Sequence, residues 1–233
     1  MKAPRDDGFR RVRPDDLLGP LNPVERQNAP EWLYLVGDID LLRPRPRVSI
    51  VGTRKPSKDG VSRASRLARE LADRGVVVVS GLARGIDTAA HQAAIAANGR
   101  TIAVLGTPLD VAYPRENSAL QRRIAAEHLL ASQFPPGYPS GRTNFPRRNR
   151  TMALLSDATV IVEAGEGSGS LSQGWEALRL GRELFILRSV TEAQELAWPR
   201  EMLRYGAQIL THTEQLFDIL PPELEESLAQ AAF

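Results

Sequence analysis

The segment NFPRRNR, residues 144–150, holds the densest group of side chains that could do chemistry. Three arginines, Arg147, Arg148 and Arg150, follow Phe145 closely. Arginines that contact phosphates, next to an aromatic ring that stacks on a base, hold single-stranded nucleic acid without reading its sequence. We interpret the segment as a loop that makes such contacts. The alternative is a solvated basic turn in which Phe145 anchors the loop in the core.

Two further segments are rich in small residues, GTR at 52–54 and EAGEGSGS at 163–170. Small residues between a strand and a helix let backbone N–H groups approach a phosphate at the positive end of the helix. Neither segment matches the G-x-G-x-x-G or G-x-x-x-x-G-K-[ST] pattern, which disfavours NAD and Walker-type ATP sites, so we predict no cofactor. The alternative is that the glycines serve only tight packing of helix on sheet.

The titratable residues leave their roles open. Asp87 and His91 lie four positions apart and would share one face of a helix, so they could act as an acid–base pair. The alternative makes Asp87 a helix cap and His91 a core residue. Glu163 would either contact a ribose hydroxyl or pair with a nearby arginine. The chain has no cysteine and no clustered histidines or carboxylates, so we predict neither a metal site nor a catalytic residue.

These residues need a framework, and short apolar runs separated by helical patterns predict one. The runs are apolar throughout rather than alternating, which is typical of parallel strands buried on both faces. We therefore predict an α/β fold with a doubly wound, mainly parallel sheet of the Rossmann-like kind. The segments that follow the strands would meet at one edge of this sheet. The predicted strands are Val48–Val51, Val76–Val79, Thr101–Leu105, Leu129–Ser132, Thr159–Val162, Leu184–Leu187 and a weaker Ala207–Leu210.

The helical patterns between the strands show apolar residues on one face and end at glycines in several cases. They are Gly60–Arg74, Thr88–Asn98, Ser118–Glu127, Arg150–Leu155 and Leu171–Leu180.

The chain divides into three predicted parts. Residues 1–46 form an N-terminal arm and Pro/Arg linker, without regular structure up to about Pro30, because this stretch is polar and rich in proline. Residues 47–220 form the Rossmann-like domain, and residues 221–233 form a C-terminal tail. No apolar run reaches the length of a membrane span and no signal-peptide pattern is present, so we predict a cytoplasmic protein.

Charge is distributed unevenly along the chain. Residues 1–150 contain 25 basic and 15 acidic residues, a net charge of +10, whereas residues 151–233 contain 5 and 13, a net charge of −8. The basic part indicates an anionic partner.

Five motifs in order carry a resemblance to a known family. They are GTRKPSKDG, SGLARGIDTAAH, TIAVLGTPLDVAYPREN, FPRRNR and EAGEGSGSL, and APEWLYLVG at residues 29–37 precedes them. Over about residues 30–210 the chain resembles the DNA-processing protein A family, DprA or Smf. The resemblance implies an extended Rossmann-like domain, single-stranded DNA in a basic pocket, a homodimer, and loading of a RecA-type recombinase during natural transformation.

The chain departs from the family pattern at Ser172-Gln173-Gly174, where Ile-Thr-Ala is usual, and at Arg188-Ser189-Val190, where a Pro-Gly turn is usual. We also expect neither the N-terminal helical domain nor the C-terminal winged helix of many members. These differences bear on recombinase loading more than on nucleic-acid binding. The alternative function is a nucleotide-binding sensor or a LOG-type nucleotide phosphoribohydrolase, although the LOG signature P-G-G-x-G-T-x-x-E is not found and Glu176 stands at a different spacing.

The predicted partner is therefore single-stranded DNA. Combining the motifs with the resemblance gives a set of candidate phosphate- and DNA-binding residues. The set is Gly52, Thr53, Arg54, Ser80, Gly81, Arg84, Phe145, Arg147, Arg148, Asn149, Arg150, Glu163, Ser168, Gly169 and Ser170. For the dimer, the expected surface is the sheet edge formed by Leu184–Leu187 and Ala207–Leu210, because unpaired edges favour pairing or cover.

Overall fold

A computed structural model describes residues 8–221 of the 233-residue chain. Its strands form one sheet. They are β1 (Arg10–Val12), β2 (Leu33–Gly37), β3 (Arg47–Gly52), β4 (Val77–Ser80), β5 (Thr101–Leu105), β6 (Leu129–Ser132), β7 (Ala158–Glu163), β8 (Glu183–Leu187) and β9 (Gln208–Leu210).

The helices lie between these strands, with short 3₁₀ turns at Ile39–Leu42 and Arg115–Asn117. They are α1 (Pro14–Leu18), α2 (Pro23–Asn28), α3 (Lys58–Asp73), α4 (Ile86–Ala96), α5 (Ser118–Glu127), α6 (Asn144–Leu154), α7 (Gly169–Arg179), α8 (Arg188–Thr191), α9 (Trp198–Arg204) and α10 (Glu214–Phe217). None of the helices within residues 8–221 has the length and apolar character needed to cross a membrane.

The strand order is β1-β2-β6-β5-β4-β3-β7-β8-β9, and the seven strands from β6 to β9 run parallel. This confirms the predicted doubly wound, mainly parallel α/β sheet. The parallel strands are largely apolar because both of their faces are covered. Val48 and Ile50 of β3 pack under α3 and α4, whereas Val51 packs against the opposite core, which includes Met152 of α6.

The first part of the chain corrects one expectation. Residues 10–28 are not an arm without regular structure, since they form β1, α1 and α2. The prolines that suggested irregularity begin helices: Pro14 and Pro23 occupy first-turn positions, where a missing N–H costs nothing. Asn22 and Glu25 add a capping box, each side chain accepting the other's backbone N–H at 2.9 Å.

β1 and β2 then extend the sheet. β2 pairs antiparallel with β6 and with β1, so residues 10–37 complete one side of the sheet. The other side ends at β9, while β8 lies between β7 and β9. Of the two strands expected to form an edge, Leu184–Leu187 is therefore interior. The domain boundaries drawn at residues 46 and 220 stay predictions, and the expected tail lies outside the described residues except for Pro221.

His91 of α4 is a core residue, fully buried with Nδ1 at 2.7 Å from the Thr101 hydroxyl oxygen. That hydroxyl donates to the carbonyl of Val78, so Nδ1 must carry a proton, while Nε2 has no partner among residues 8–221. A second proton would create a buried charge. Burial accordingly lowers the pKa of His91 from 6.5 to about 3.

This burial predicts acid sensitivity of the fold. Below pH 6.5 His91 is protonated in the unfolded chain, whereas in the folded chain it stays neutral down to about pH 3. The free energy of unfolding therefore falls as pH decreases through this window. The expected decrease from His91 approaches about 1.4 kcal/mol per pH unit. Urea unfolding at pH 7 and pH 5 measures the fall, and a His91→Gln variant should show a smaller one. An equal pH dependence in both proteins would contradict the prediction.

Candidate functional site

A pocket of about 530 Å³ opens where β3 and β7 end and the loop after β4 begins. Four parts of the chain line it. Two are residues 51–55, at the end of β3 and just after it, and Ala83 and Asp87 around the start of α4. The other two are one face of α6 and residues 165–170, which lead into α7. The carboxyl edge of a doubly wound sheet is where such folds bind ligands.

The pocket gathers most of the predicted residues. Lining it are Gly52, Thr53, Arg54, Phe145, Arg148, Asn149, Ser168, Gly169 and Ser170. The remaining candidates, Ser80, Gly81, Arg84, Arg147, Arg150 and Glu163, are not among its lining residues.

The segment NFPRRNR forms a helix rather than the predicted loop, so only some of its residues line the pocket. Helix α6 begins at Asn144, six residues before the predicted start. On a helix, positions i, i+3, i+4 and i+7 share one face, and Phe145, Arg148, Asn149 and Met152 are the ones that line the pocket. Arg147 and Arg150 consequently leave the helix in other directions.

Arg148 is a buried cation at the floor of the pocket. Its Nη1 donates to the carbonyls of Gly81 at 2.5 Å and Val104 at 2.7 Å, and its Nε donates to Asn149 Oδ1 at 3.0 Å. Gly81 must be glycine here, because a Cβ would lie 2.2 Å from Nη1. Burial lowers the pKa of Arg148, and the charge of Asp87 acts in the opposite direction.

Asp87 is the buried counter-charge. Its Oδ2 accepts the N–H groups of Gly81 at 3.1 Å and Ala83 at 3.3 Å. Burial raises the pKa of Asp87, while Arg148 and these two N–H groups favour its charged form. Asp87 therefore holds the loop after β4 and faces Arg148. His91 does not line the pocket, so the two residues do not form an acid–base pair there.

Arg54 is the exposed cation of the pocket. Its guanidinium carbon lies 5.5 Å from the centre of the Phe145 ring, and its side chain has no acidic or hydrogen-bonded partner within residues 8–221. The Phe145 ring is half-buried, and the exposed Tyr113 ring lies beside it with centroids 5.3 Å apart. An unpaired guanidinium thus stands beside two accessible aromatic rings.

The glycines around the pocket serve two different purposes. At Gly52 a Cβ would lie 2.5 Å from Ile86, so this glycine permits close packing of α4. Gly165, Gly167 and Gly169 have nothing within 4 Å of the corresponding position. Close packing therefore does not account for these three, which leave the start of α7 open to a ligand.

Helix α7 presents its first N–H groups at this open turn. Ser168 caps the helix, its Oγ accepting from Ser170 N at 3.4 Å and lying 2.7 Å from Ser170 Oγ. The backbone after β3 contributes less than predicted, because Thr53 N–H already donates to the carbonyl of Glu163 at 2.7 Å. At the start of α7 the N–H groups of Ser168, Ser170 and Leu171 likewise have acceptors within the turn, so an anion there would rely on Gly169 N–H, the serine hydroxyls and the positive end of the helix.

The remaining candidates have partners elsewhere. Arg84 pairs with Glu116, Arg150 donates to both oxygens of Glu176 at 3.1 and 3.2 Å, and Ser80 Oγ donates to the Ile50 carbonyl at 2.7 Å. Arg147 donates to the Tyr138 hydroxyl at 2.9 Å.

Of the two alternatives for Glu163, a ribose contact or an arginine partner, the structure contains an arginine partner. It accepts Ser57 N–H at 2.8 Å and Ser57 Oγ–H at 2.6 Å, and Arg63 lies at 3.5 Å. Glu163 therefore holds the start of α3. A Cβ at Gly60 would lie 2.1 Å from its Oε2, so this contact also requires a glycine.

Lys55 and Tyr113 belong to this region but were not predicted as site residues. Lys55 lines the pocket, and its position next to Arg54 was an available signal. Tyr113 lies outside the apolar strands and becomes relevant only through its contact with Phe145. Among the described residues, no group of three or more His, Asp or Glu side chains could hold a metal ion.

Fold and pocket together define a Rossmann-like α/β protein with a basic, aromatic-lined pocket at the carboxyl edge of its sheet. The family model described as DNA recombination-mediator protein A matches residues 17–221. The chain belongs to this family.

Individual relatives agree with this assignment. The DNA processing protein DprA of Bacillus subtilis is 38% identical over 221 residues, which cover 95% of this chain and 74% of that protein. The chain spans about half of other curated relatives, such as Protein Smf of Synechocystis at 52%. The solved structure of DprA from Streptococcus pneumoniae superposes with a TM-score of 0.79 at 34% identity, covering 92% of this chain and 75% of that one.

A second solved structure describes the single-stranded DNA binding mode of DNA processing protein A from Helicobacter pylori. It superposes with a TM-score of 0.74 at 31% identity and covers 90% of this chain and 94% of that one.

Proposed function

We propose that this protein binds single-stranded DNA through the pocket at the carboxyl edge of the sheet. The observation that carries the proposal is the combination, in one pocket, of cations without acidic partners in the described chain, Arg54 and Lys55, with the accessible ring of Phe145. Phosphates would contact the cations and a base would stack on the ring, which requires no base-specific readout.

The open glycine turn supports the same ligand. Gly165, Gly167 and Gly169 leave room in front of α7, so a backbone phosphate could reach its N–H groups and the Ser168 hydroxyl. Arg54 lines the same pocket and would contact a neighbouring phosphate. Two anion positions beside one aromatic ring suit a nucleotide chain better than a single mononucleotide.

We propose binding rather than turnover. Among the described residues, the carboxylates that line the pocket are Asp87 and Glu166. Asp87 is buried and accepts the N–H groups of Gly81 and Ala83, and Glu166 accepts the N–H of Ala197 at 2.7 Å. Glu176, the nearest equivalent of a LOG-type glutamate, is held by Arg150 and Arg179. No free carboxylate in this part of the chain is placed to attack a glycosidic bond.

The family description and the Helicobacter pylori structure extend the proposal. A recombination mediator that holds single-stranded DNA would deliver it to a RecA-type recombinase. For a homodimer we propose the edge strand β9, where Ile209 is exposed and no further strand of residues 8–221 pairs on the outer side, although the Gln215 amide donates to the Ile209 carbonyl at 3.2 Å.

A titration with labelled dT oligomers of increasing length and with AMP tests the proposal. We expect affinity to rise with length and to fall with salt, at a slope of about −0.7 per neutralised phosphate in log–log form. AMP should compete weakly and should release no adenine. Tight AMP binding, adenine release, or the absence of dT binding would overturn the proposal.

A further inference from the structure

Arginine–aromatic contacts recur along the carboxyl edge of the sheet, outside the pocket. The guanidinium of Arg147 lies 5.2 Å from the Phe134 ring and 5.9 Å from the Tyr138 ring, just after β6. Farther along, the guanidinium of Arg11 lies 3.7 Å from the ring of Trp32.

Strand register places this last contact at the same edge as the pocket. Tyr34 of β2 pairs with Ser132, the last residue of β6, and β2 runs in the opposite direction. Trp32 therefore lies beyond the carboxyl end of β6. Val12 of β1 pairs with Leu33, so the end of β1 and its arginines reach the same level.

These arginines contact aromatic rings, whereas several other exposed arginines contact carboxylates. Arg43, Arg66, Arg84 and Arg123 each pair with a carboxylate. Within residues 8–221, Arg11, like Arg54, has no acidic or hydrogen-bonded partner.

A guanidinium that stacks flat on a ring keeps its N–H groups at its rim free for phosphate oxygens. The ring also restricts the arginine side chain, so less conformational freedom is given up on binding. Arg13 adds a further cation at 5.9 Å from Trp32, although Asp15 accepts a hydrogen bond from it at 3.2 Å.

We infer that single-stranded DNA, once held in the pocket, continues along this edge over Arg147 to Arg11 on Trp32. The inference rests on the proposed function and adds the direction of the strand, toward β1 rather than toward β9. Neighbouring strands are about 5 Å apart, so the five spacings from β3 to β1 cover roughly 24 Å. At about 3.4 Å per nucleotide this is roughly seven nucleotides, and fewer if the DNA is stretched.

The test compares dT4, which is too short to reach β1 from the pocket, with dT20, which can reach it. We expect the double variant Arg11→Ala/Arg147→Ala to bind dT4 like the wild-type protein and dT20 several-fold more weakly. The salt slope for dT20 should shrink by about 0.7 for each phosphate that is no longer neutralised. Arg74→Ala is the matched control, because Arg74 also stacks on a ring, Phe217 at 4.6 Å, but lies before β4 at the opposite edge.

Each outcome separates the two proposals. Wild-type affinity and salt slope for dT20 in the double variant would overturn the path and show that Arg11 merely shields an edge strand. The pocket would still stand if Arg54→Ala weakened both oligomers. An equally large effect of Arg74→Ala would also overturn the path, because it would reflect net charge alone. If the wild-type protein bound neither oligomer, the proposed function would fail and the path with it.

Discussion

Replacing Arg148 with alanine is expected to lower the free energy of unfolding by about 3–5 kcal/mol, the cost of removing one of two buried opposite charges that stabilise each other. The variant leaves the buried carboxylate of Asp87 without its counter-charge and removes the donor to the carbonyls of Gly81 and Val104. Urea unfolding measures the change. The sequence assigned Arg148 to phosphate contact, whereas the structure makes it first a support of the pocket floor.

Arg147→Ala is the matched control, since it removes the same side chain one position earlier in the same helix. Arg147 is exposed, so its removal should change stability by less than about 0.5 kcal/mol. A double-mutant cycle with Asp87→Asn gives the coupling, and the two changes together should cost less than their sum. Equal stability of Arg148→Ala and Arg147→Ala would refute the buried pair.

Replacing Arg54 with alanine is expected to weaken dT binding by about 2 kcal/mol, or roughly 30-fold in Kd, the size usual for an arginine anchor. Arg54 has no protein partner to give up within residues 8–221 and sits over Phe145 at the pocket. Its removal should also reduce the salt slope by about 0.7. Fluorescence anisotropy at two or more salt concentrations measures both, and the melting temperature should hardly change.

Arg84→Ala gives the control for charge. Arg84 is an exposed arginine of the same predicted set, but it pairs with Glu116 and does not line the pocket. We expect binding close to that of the wild-type protein. If Arg84→Ala weakened binding as much as Arg54→Ala, general electrostatic attraction rather than the pocket would account for the affinity.

The parallel part of the sheet was predictable because its strands are buried on both faces and therefore do not alternate between apolar and polar residues, as in VSIV and TIAVL. The same reasoning missed β1, which has three residues and an exposed RRV sequence. Its pairing with β2 depends on distant residues and leaves no local pattern. Proline in α1 and α2 was read as a breaker, although at a first-turn position it favours a helix.

Within the site, residue types identified the segments but not the direction of each side chain. Treating NFPRRNR as a loop made all three arginines equivalent, whereas the helix turns Arg148 into the pocket and Arg150 toward Glu176. Because Arg148 is buried, its Nε and Nη1 groups donate to protein oxygens rather than to a phosphate. Two of these oxygens belong to Gly81, just after β4, and to Val104 of β5, both far away in sequence.

The antiparallel pairing of β2 with β6 also affects how the chain folds during synthesis. The pairing partner of Tyr34, Ser132, is synthesised about a hundred positions later. At roughly 5–20 residues per second, the ribosome needs about 5–20 seconds to reach it. Until then β2 has β1 as its neighbour, and a two-stranded ribbon is marginal in water. β1 and β2 are therefore synthesised well before they can join the rest of the sheet.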